Sequence, residues 1–495
     1  MKTKNLFLTT ILLGVALGTS GCSDFLDEVP LSQSTQSNAY KTAADAEAAL
    51  AGAYESYQGD FYVWENVLYN DVRSDNHYAG GDNPNIFEID ELRISIYSTR
   101  VQGTWSSLFN GIAKANLVIA KVPGIDDANL DNGNRRAQII GEATFLRGEK
   151  YFQLVKLFGG VPLILEPVES TDPSVTNVER ATVEDVYSQV IADMEFALER
   201  LPSKYSDDAS MNKARATKGA ANAFLAKAYA QKPVPEYDKV LQYCDAVIND
   251  TEAGYDLMDN YDELFDGAHY NNKESIMEIQ YLGGTEGNWG PQMMLPPSLS
   301  GDGWRKFITP SHNLVDAFDA AGDSVRKQAT IFWENVGWTD EYWAVGGGNV
   351  PFGYKWRSAS GWASSNRQYL VRLADIILLK AEALNELNRT PEAIIELNKI
   401  RNRALLNNTT ATTKDQVRNA ILSERRLEFA QEGQRWDDLV RFGKAVDVMN
   451  NLVETNLVTG ARVNYGMNTD KLRLPIPQEE RERNTKLTQN PGYTQ

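Results

Sequence analysis

YLVRLADIILLKAEALNELN, residues 369 to 388, is the stretch from which the fold can be read. Leu370, Leu373, Ala374, Ile377, Ala381 and Leu384 recur at helical spacing and make one continuous apolar stripe. Ile376, Leu379 and Ala383 form a second apolar face, so this helix must be packed on two sides. The next helix starts at once: Thr390 suits a cap, Pro391 the first helical position and Glu392 the positive helix end. The product is an αα-hairpin with small residues where the two helices approach closely.

The same design recurs outward from it. Trp105 to Val122 reads as a helix ended by Pro123-Gly124, and Arg135 to Phe158 as another, stopped by Gly159-Gly160-Val161-Pro162. Thr182 opens a further helix with a capping box to Asp185, and Val183, Val186, Val190, Met194 and Leu198 give it one apolar face. Thr217 to Gln231 is studded with alanine, and Tyr237 to Asn249 adds another helix. Pairs around 105–158, 182–231, 236–265 and 369–407, small at their crossings, meet the physical requirement of tetratricopeptide-like stacking, although no strict period emerges. The alternative is a generic helical bundle. Nearer the N-terminus Ala43 to Ser56 is helical, and Gly59 to Pro84, mixing aromatics with Asn, Asp and Gly, is expected as loop. Toward the C-terminus Thr413 starts a helix with a capping box to Gln416. In it Glu424 and Glu428 lie four apart, a repulsive pair that calls for arginine partners from elsewhere. Trp436 to Asn451 is expected as one last long helix.

Residues 270 to 368 differ in kind. They carry glycine clusters and seven of the ten tryptophans, with a short strand expected at Ile276 to Tyr281. The fold class is therefore mainly α: a tetratricopeptide-like scaffold of helical pairs, about 105–265 and 369–450, with a loop-rich, Trp-rich insertion at about 270–368.

At the start of the chain, Lys2 and Lys4 precede an apolar run, Leu6 to Leu17, of signal-peptide length. Thr19-Ser20-Gly21-Cys22 follows and resembles a bacterial lipobox, which makes residues 1–21 a signal peptide and Cys22 the lipidated first residue of a single domain, 22–495; Thr19 departs from the usual leucine. An ordinary cleaved signal with a chance cysteine is the alternative. With Cys22 acylated, Cys244 has no disulfide partner and reads as a small buried residue. The net charge of −18 disfavours nucleic acid as a partner.

Several motifs resemble one family, the SusD/RagB outer-membrane nutrient-binding lipoproteins of Bacteroidota. Phe145-Leu146-Arg147, Tyr151-Phe152 and Phe158-Gly159-Gly160-Val161-Pro162-Leu163 are similar to its FLRA…YF…FGGVPL segment. Arg372-Leu373-Ala374-Asp375 through Asn385 is similar to its RYADVLL.YAEALNE helix, and Glu424 to Leu439 with Leu474-Pro475-Ile476-Pro477 and Asn490-Pro491-Gly492-Tyr493 to its C-terminal signature. The resemblance implies a non-catalytic protein that captures glycans at the cell surface over a SusC-like TonB-dependent transporter, anchored in the outer membrane by its N-terminal lipid.

Sugar rings bind on aromatic faces because their C–H faces are apolar while their hydroxyls need polar partners at the edge. Two stretches have that composition: Trp64, Asn66, Asp71, Arg73, Asp75 and Asn76, and, in the insertion, Trp289, Trp304, Arg305, Trp338 and Trp343. The ligand-binding expectation rests on Trp64, Asn66, Asp75, Asn76, Trp289, Trp304, Trp338 and Trp343, with Trp64 and Trp289 foremost; for any one tryptophan, core packing is the alternative. Trp333 and Trp105 are expected to be buried. Scattered histidines at 77, 269 and 312 offer no metal-binding spacing, and no hydrolase or nucleotide motif occurs, so neither a cofactor nor a metal is expected. A neutral glucan or fructan is preferred as ligand, laminarin being a guess. A lipoprotein glycoside hydrolase and a helical-repeat assembly scaffold without a small ligand stand as rival functions.

Overall fold

Ten helices of ten residues or more run through residues 39–358, 361–457 and 459–493, which this computed structural model describes. They are α1 (Ala43–Tyr54), α2 (Thr99–Lys121), α3 (Arg135–Phe158), α4 (Val183–Leu198), α5 (Lys218–Gln231), α6 (Tyr237–Ile248), α7 (His312–Ala321), α8 (Leu373–Glu386), α9 (Thr390–Arg403) and α10 (Lys414–Phe429). Six strands pair antiparallel by twos: β1 (His77–Tyr78) with β3 (Thr309–Pro310), β2 (Ser275–Ile279) with β6 (Gln368–Arg372), and β4 (Ile331–Val336) with β5 (Gly348–Gly353). The signal-like leader and Cys22 lie outside the described residues.

From α2 to α6 each helix packs on the next, and α6 then packs on α8, more than a hundred residues later. α8 in turn packs on α9 and α10, so the helical array continues across the gap in sequence. The intervening chain leaves and returns through the β2–β6 pair, where Ser275 stands opposite Arg372. α8 is buried almost all round, which its two apolar faces require. Its few polar side chains are accordingly paired: Asp375 with Lys227 and Arg425, Glu382 with Arg441 at 2.9 Å, while Asn385 donates to the Lys414 carbonyl. Cys244 is fully buried on α6 and unpaired, and burial pushes its thiol up.

Four expectations are corrected. The stretch 236–265 holds one helix and a short turn, Tyr261–Leu264, rather than a pair; the neighbour of α6 is α8. Thr390 is the first residue of α9 instead of its cap, and its hydroxyl donates to Asn385 Oδ1 at 3.0 Å. Residues 436 to 451 form two short helices, Arg435–Arg441 and Ala445–Asn451, broken at Gly443 with φ +66°. The segment from Gly59 to Pro84 is no surface loop: Phe61–Glu65 and Leu68–Val72 are wide helical turns whose aromatic rings are buried. Its polar groups misled because they find partners inside. Tyr62 donates to Glu149 at 2.6 Å, Thr104 to Glu65, and the Gly433 amide to Asp71 at 2.7 Å.

The repulsive pair on α10 has the partners it required. Glu424 meets Arg326 at 2.6 Å and Arg401 at 2.7 Å; Glu428 meets Arg326 at 3.0 Å, Arg372 at 2.6 Å and Arg403. Arg372 also reaches Glu274 and Glu432. The network therefore ties the insertion, through Arg326 and Glu274, to α9 and α10.

Candidate functional site

The two-residue pairing of β1 with β3 is the hub of an aromatic surface. On one side of it the chain runs on from Tyr78 through Gly80 and Gly81, and backward from Thr309 to Phe307 and Trp304. These segments lie against each other without room for a side chain: a Cβ on Gly80 would stand 2.1 Å from the Lys306 carbonyl oxygen, and one on Gly81 2.4 Å from the Phe307 ring. Arg305 fastens the same contact by donating to the Gly81 carbonyl at 2.8 Å. Gly80→Ala is therefore expected to lower stability by about 1–3 kcal/mol, checked by urea unfolding, with a change in tryptophan fluorescence as Trp304 and Phe307 move apart from the loop.

The rings here form a chain. Trp64 meets Trp289 edge-on with centroids 5.4 Å apart and Phe307 at 6.3 Å, and Phe307 meets Trp304 at 5.2 Å. Arg100 covers Trp64, and the Lys306 ammonium lies 4.0 Å from the Trp304 ring centre. Trp289, Trp304 and Phe307 stay half-exposed, whereas Trp64 is only 4% exposed. Trp64 thus supports the surface from beneath.

On the other side of the hub Tyr78 stacks on Tyr342 at 3.8 Å, His312 stacks on Tyr342 at 4.5 Å and lies 3.7 Å from Trp343, and Trp343 meets Trp333 edge-on at 5.2 Å. Trp343 is held by its indole N–H donating to the Pro310 carbonyl at 3.0 Å. Tyr342 donates to Glu454 at 2.6 Å, and burial raises that carboxyl to about 7. Tyr342 and Trp343 are half-exposed, and Trp333 is 40% exposed, contrary to expectation: it shares a face of β4 with the buried Ile331, but further along a two-stranded hairpin. Trp105 is buried as expected.

Beside the Gly81–Arg305 contact, and at Glu341 next to Tyr342, opens a groove of about 570 Å³ lined also by Asp82, Phe87 and Glu88; its lining includes none of the rings described above. Arg305 and Glu341, from two different loops of the insertion, pair across it, and Arg93 pairs with Glu91 on its wall. The face as a whole offers half-exposed rings beside hydrogen-bonding groups. Among the described residues no cluster of His, Cys, Asp and Glu could hold a metal ion.

The remaining sequence candidates lie elsewhere. Asp75 is buried and gripped by Arg435 at 2.8 Å and Arg426 at 3.3 Å; burial alone would raise its carboxyl, but these two cations hold it well below the usual range. Asn76 is buried, donates to Asp71 at 2.9 Å and accepts from Arg426. Asn66 is half-buried and lines an internal polar cavity with Gln153, Lys227 and Asp375. Trp338 is half-exposed at the turn end of the β4–β5 hairpin, where it packs with Val336 and Val350 in the cluster that Trp343 also joins. Trp289, Trp304 and Trp343, with Trp338 beside the last, are thus the candidates that keep some surface. Phe307 and Tyr342 join the face without having been candidates in the sequence, and His312 joins it as a stacking ring; the adjacent Tyr342-Trp343 pair is the sequence signal for this part. Trp362, 53% exposed, lies on a loop whose neighbours 363 and 364 bond to the segment 284–288 leading to Trp289.

Residues 333–493 match the model of the SusD family, and residues 24–230 match a model described as starch-binding associating with outer membrane. The chain is 28% identical to SusD-like protein P2 of Formosa agariphila, over 96% of this chain and 97% of that one. Among solved structures, a laminarin binding SusD-like protein superposes with a TM-score of 0.75 at 29% identity, over 92% of this chain and all of the other. Surface glycan-binding protein A from Bacteroides fluxus gives 0.73 at 25% identity, with the same coverage.

Proposed function

The chain belongs to the SusD/RagB family, and with that as premise we propose that it is a non-catalytic, cell-surface glycan-binding lipoprotein of the outer membrane. In this reading it captures an oligo- or polysaccharide and delivers it to a SusC-like TonB-dependent transporter, tethered by acylation at Cys22. The observation that carries the reading is the half-exposed ring series Trp289, Trp304, Phe307, Tyr342 and Trp343, with the hydrogen-bonding groups of Arg305 and Glu341 next in sequence to Trp304 and Tyr342. Rings of this kind take the C–H faces of sugars, and the Arg305–Glu341 pair supplies donors and acceptors for hydroxyls. Both arginines of the groove lining are already paired with glutamates, so no cation there is left for an acidic sugar. A neutral glycan fits best, and the similarity to a laminarin binder favours a β-glucan.

Affinity electrophoresis in gels containing laminarin, starch or levan tests this, with reducing ends assayed on the same samples. Retardation by one of these polysaccharides without release of reducing ends is the expected result. Retardation by none, or release of new reducing ends, would overturn it.

A further inference from the structure

The Gly159-Gly160 turn after α3 plays no part in the aromatic face, yet it seats two arginines. Gly159, at φ +78°, ends α3, and Arg473 lies flat against it: a Cβ there would stand 2.5 Å from Nη1 and 2.9 Å from Cζ. The Gly160 carbonyl accepts from Arg180 Nε at 2.7 Å. Arg180 is otherwise satisfied only by neutral oxygens, the carbonyls of Thr488 and Phe158, the Thr488 hydroxyl and Asn490 Oδ1. Arg473 donates no hydrogen bond and joins no ion pair among the described residues, and it is half-exposed. Burial, and after it the Arg473 charge, lowers the Arg180 guanidinium to about 10. Two like charges kept side by side oppose folding, and among the described residues none of this chain's 67 carboxylate residues lies within ion-pair distance of Arg473.

Arg473 is also held in place. Its carbonyl accepts from Tyr493 at 2.8 Å and from Arg73, whose guanidinium stacks on Trp436 at 4.2 Å. The side chain opens on a groove of about 440 Å³ between the ends of α3, α4 and α5 and the C-terminal strap. The other cations of that lining have carboxylate partners in this chain: Lys156 has Asp437, Arg441 has Glu382 and, at the surface, Lys232 has Glu236. Asp470, the one carboxylate lining it among the described residues, pairs with none of them. The rest of the lining mixes apolar residues, Pro233, Leu472 and Pro491 among them, with Gln231, Thr469 and Asn490.

We propose that this groove docks an acidic peptide segment of a partner protein, whose carboxylate is taken by the guanidinium fork of Arg473 while flanking apolar side chains rest on Pro233, Leu472 and Pro491. Charge complementarity selects the carboxylate, and these apolar residues favour a peptide over a small anion. The site is independent of sugar binding.

The test is fluorescence anisotropy with fluorescein-labelled peptides that carry Asp or Glu beside Leu, Phe or Pro, against the same peptides with Asn or Gln. The acidic peptides are expected to bind, more weakly as salt rises, and their amide counterparts about tenfold or more less tightly. Arg473→Gln is expected to remove that difference without lowering the unfolding midpoint, since it relieves the repulsion on Arg180, and with the polysaccharide-gel retardation unchanged. Arg473→Lys should fall between, since it keeps the charge without the fork. Equal binding of acidic and amide peptides, unchanged binding by Arg473→Gln, or binding of inorganic phosphate with no peptide bound, would each overturn the proposal.

Discussion

Replacing Glu428 by glutamine is expected to destabilise the protein by roughly 3–5 kcal/mol, the usual cost of breaking a buried ion pair from one side. Both carboxylate oxygens are used: Oε1 accepts from Arg372 at 2.6 Å and from Arg403, and Oε2 accepts from Arg326 at 3.0 Å. All three guanidinium groups are buried, with side-chain exposures of 4% or less, so none can turn to water when the charge is removed. Glutamine keeps the shape, removes the charge and points an amide N–H₂ at a cation. Burial alone would raise the Glu428 carboxyl, but Arg403, Arg372 and Arg326 hold it well below its ordinary value of 4.5. A depressed carboxylate gives stability that is complete above the unfolded pKa and is lost as pH falls through the folded one. The difference between wild type and Glu428→Gln in urea unfolding should therefore stay level from neutral pH down to about 5 and shrink below about 4. A difference under about 1 kcal/mol at neutral pH, the range of a surface pair, would show that the network adds nothing. Arg483, exposed and paired only on its own short helix with Glu479 and Glu480, supplies the control: Arg483→Ala should be nearly silent.

Trp304→Ala is expected to weaken glycan binding by at least about tenfold, from loss of roughly 1.5–3 kcal/mol of ring contact, with a smaller loss of stability than Trp64→Ala because the ring is only partly covered. Trp343→Ala should do the same on the other side of the β1–β3 pairing. Trp64→Ala is expected to act differently: Trp64 is buried under Trp289 and Arg100, so its loss should cost about 3–5 kcal/mol of stability. Isothermal titration with the polysaccharide that retards the protein, paired with urea unfolding, separates the two patterns. Full affinity in both Trp304→Ala and Trp343→Ala would remove this face as the glycan site.

The helical scaffold was legible for a simple reason. A helix buried on two sides must show apolar residues on both faces, so α8 announced its depth through Leu373, Ile376, Ile377 and Leu379 before any coordinates existed. Glu424 and Glu428 announced their missing partners in the same way, because two like charges four residues apart on a buried helix need cations. The partners themselves, Arg326, Arg372 and Arg403, lie 102, 56 and 25 residues from Glu428, and local sequence carries no sign of such distances.

The aromatic site was only half legible, and the Gly59–Pro84 misreading shows why. Aromatic and polar residues mixed together describe a sugar site and a buried, internally paired turn equally well. Trp64 and Asp75 have the composition of the first and the burial of the second. Composition states which contacts a residue is able to make, whereas burial depends on what the rest of the chain lays over it. Periodicity and capping, which act within a few residues, placed most of the long helices from sequence alone, and the quoted motifs carried the family resemblance. Which tryptophans keep a face open to solvent was decided by the β1–β3 pairing of residues more than two hundred positions apart, and only the tertiary structure holds that information.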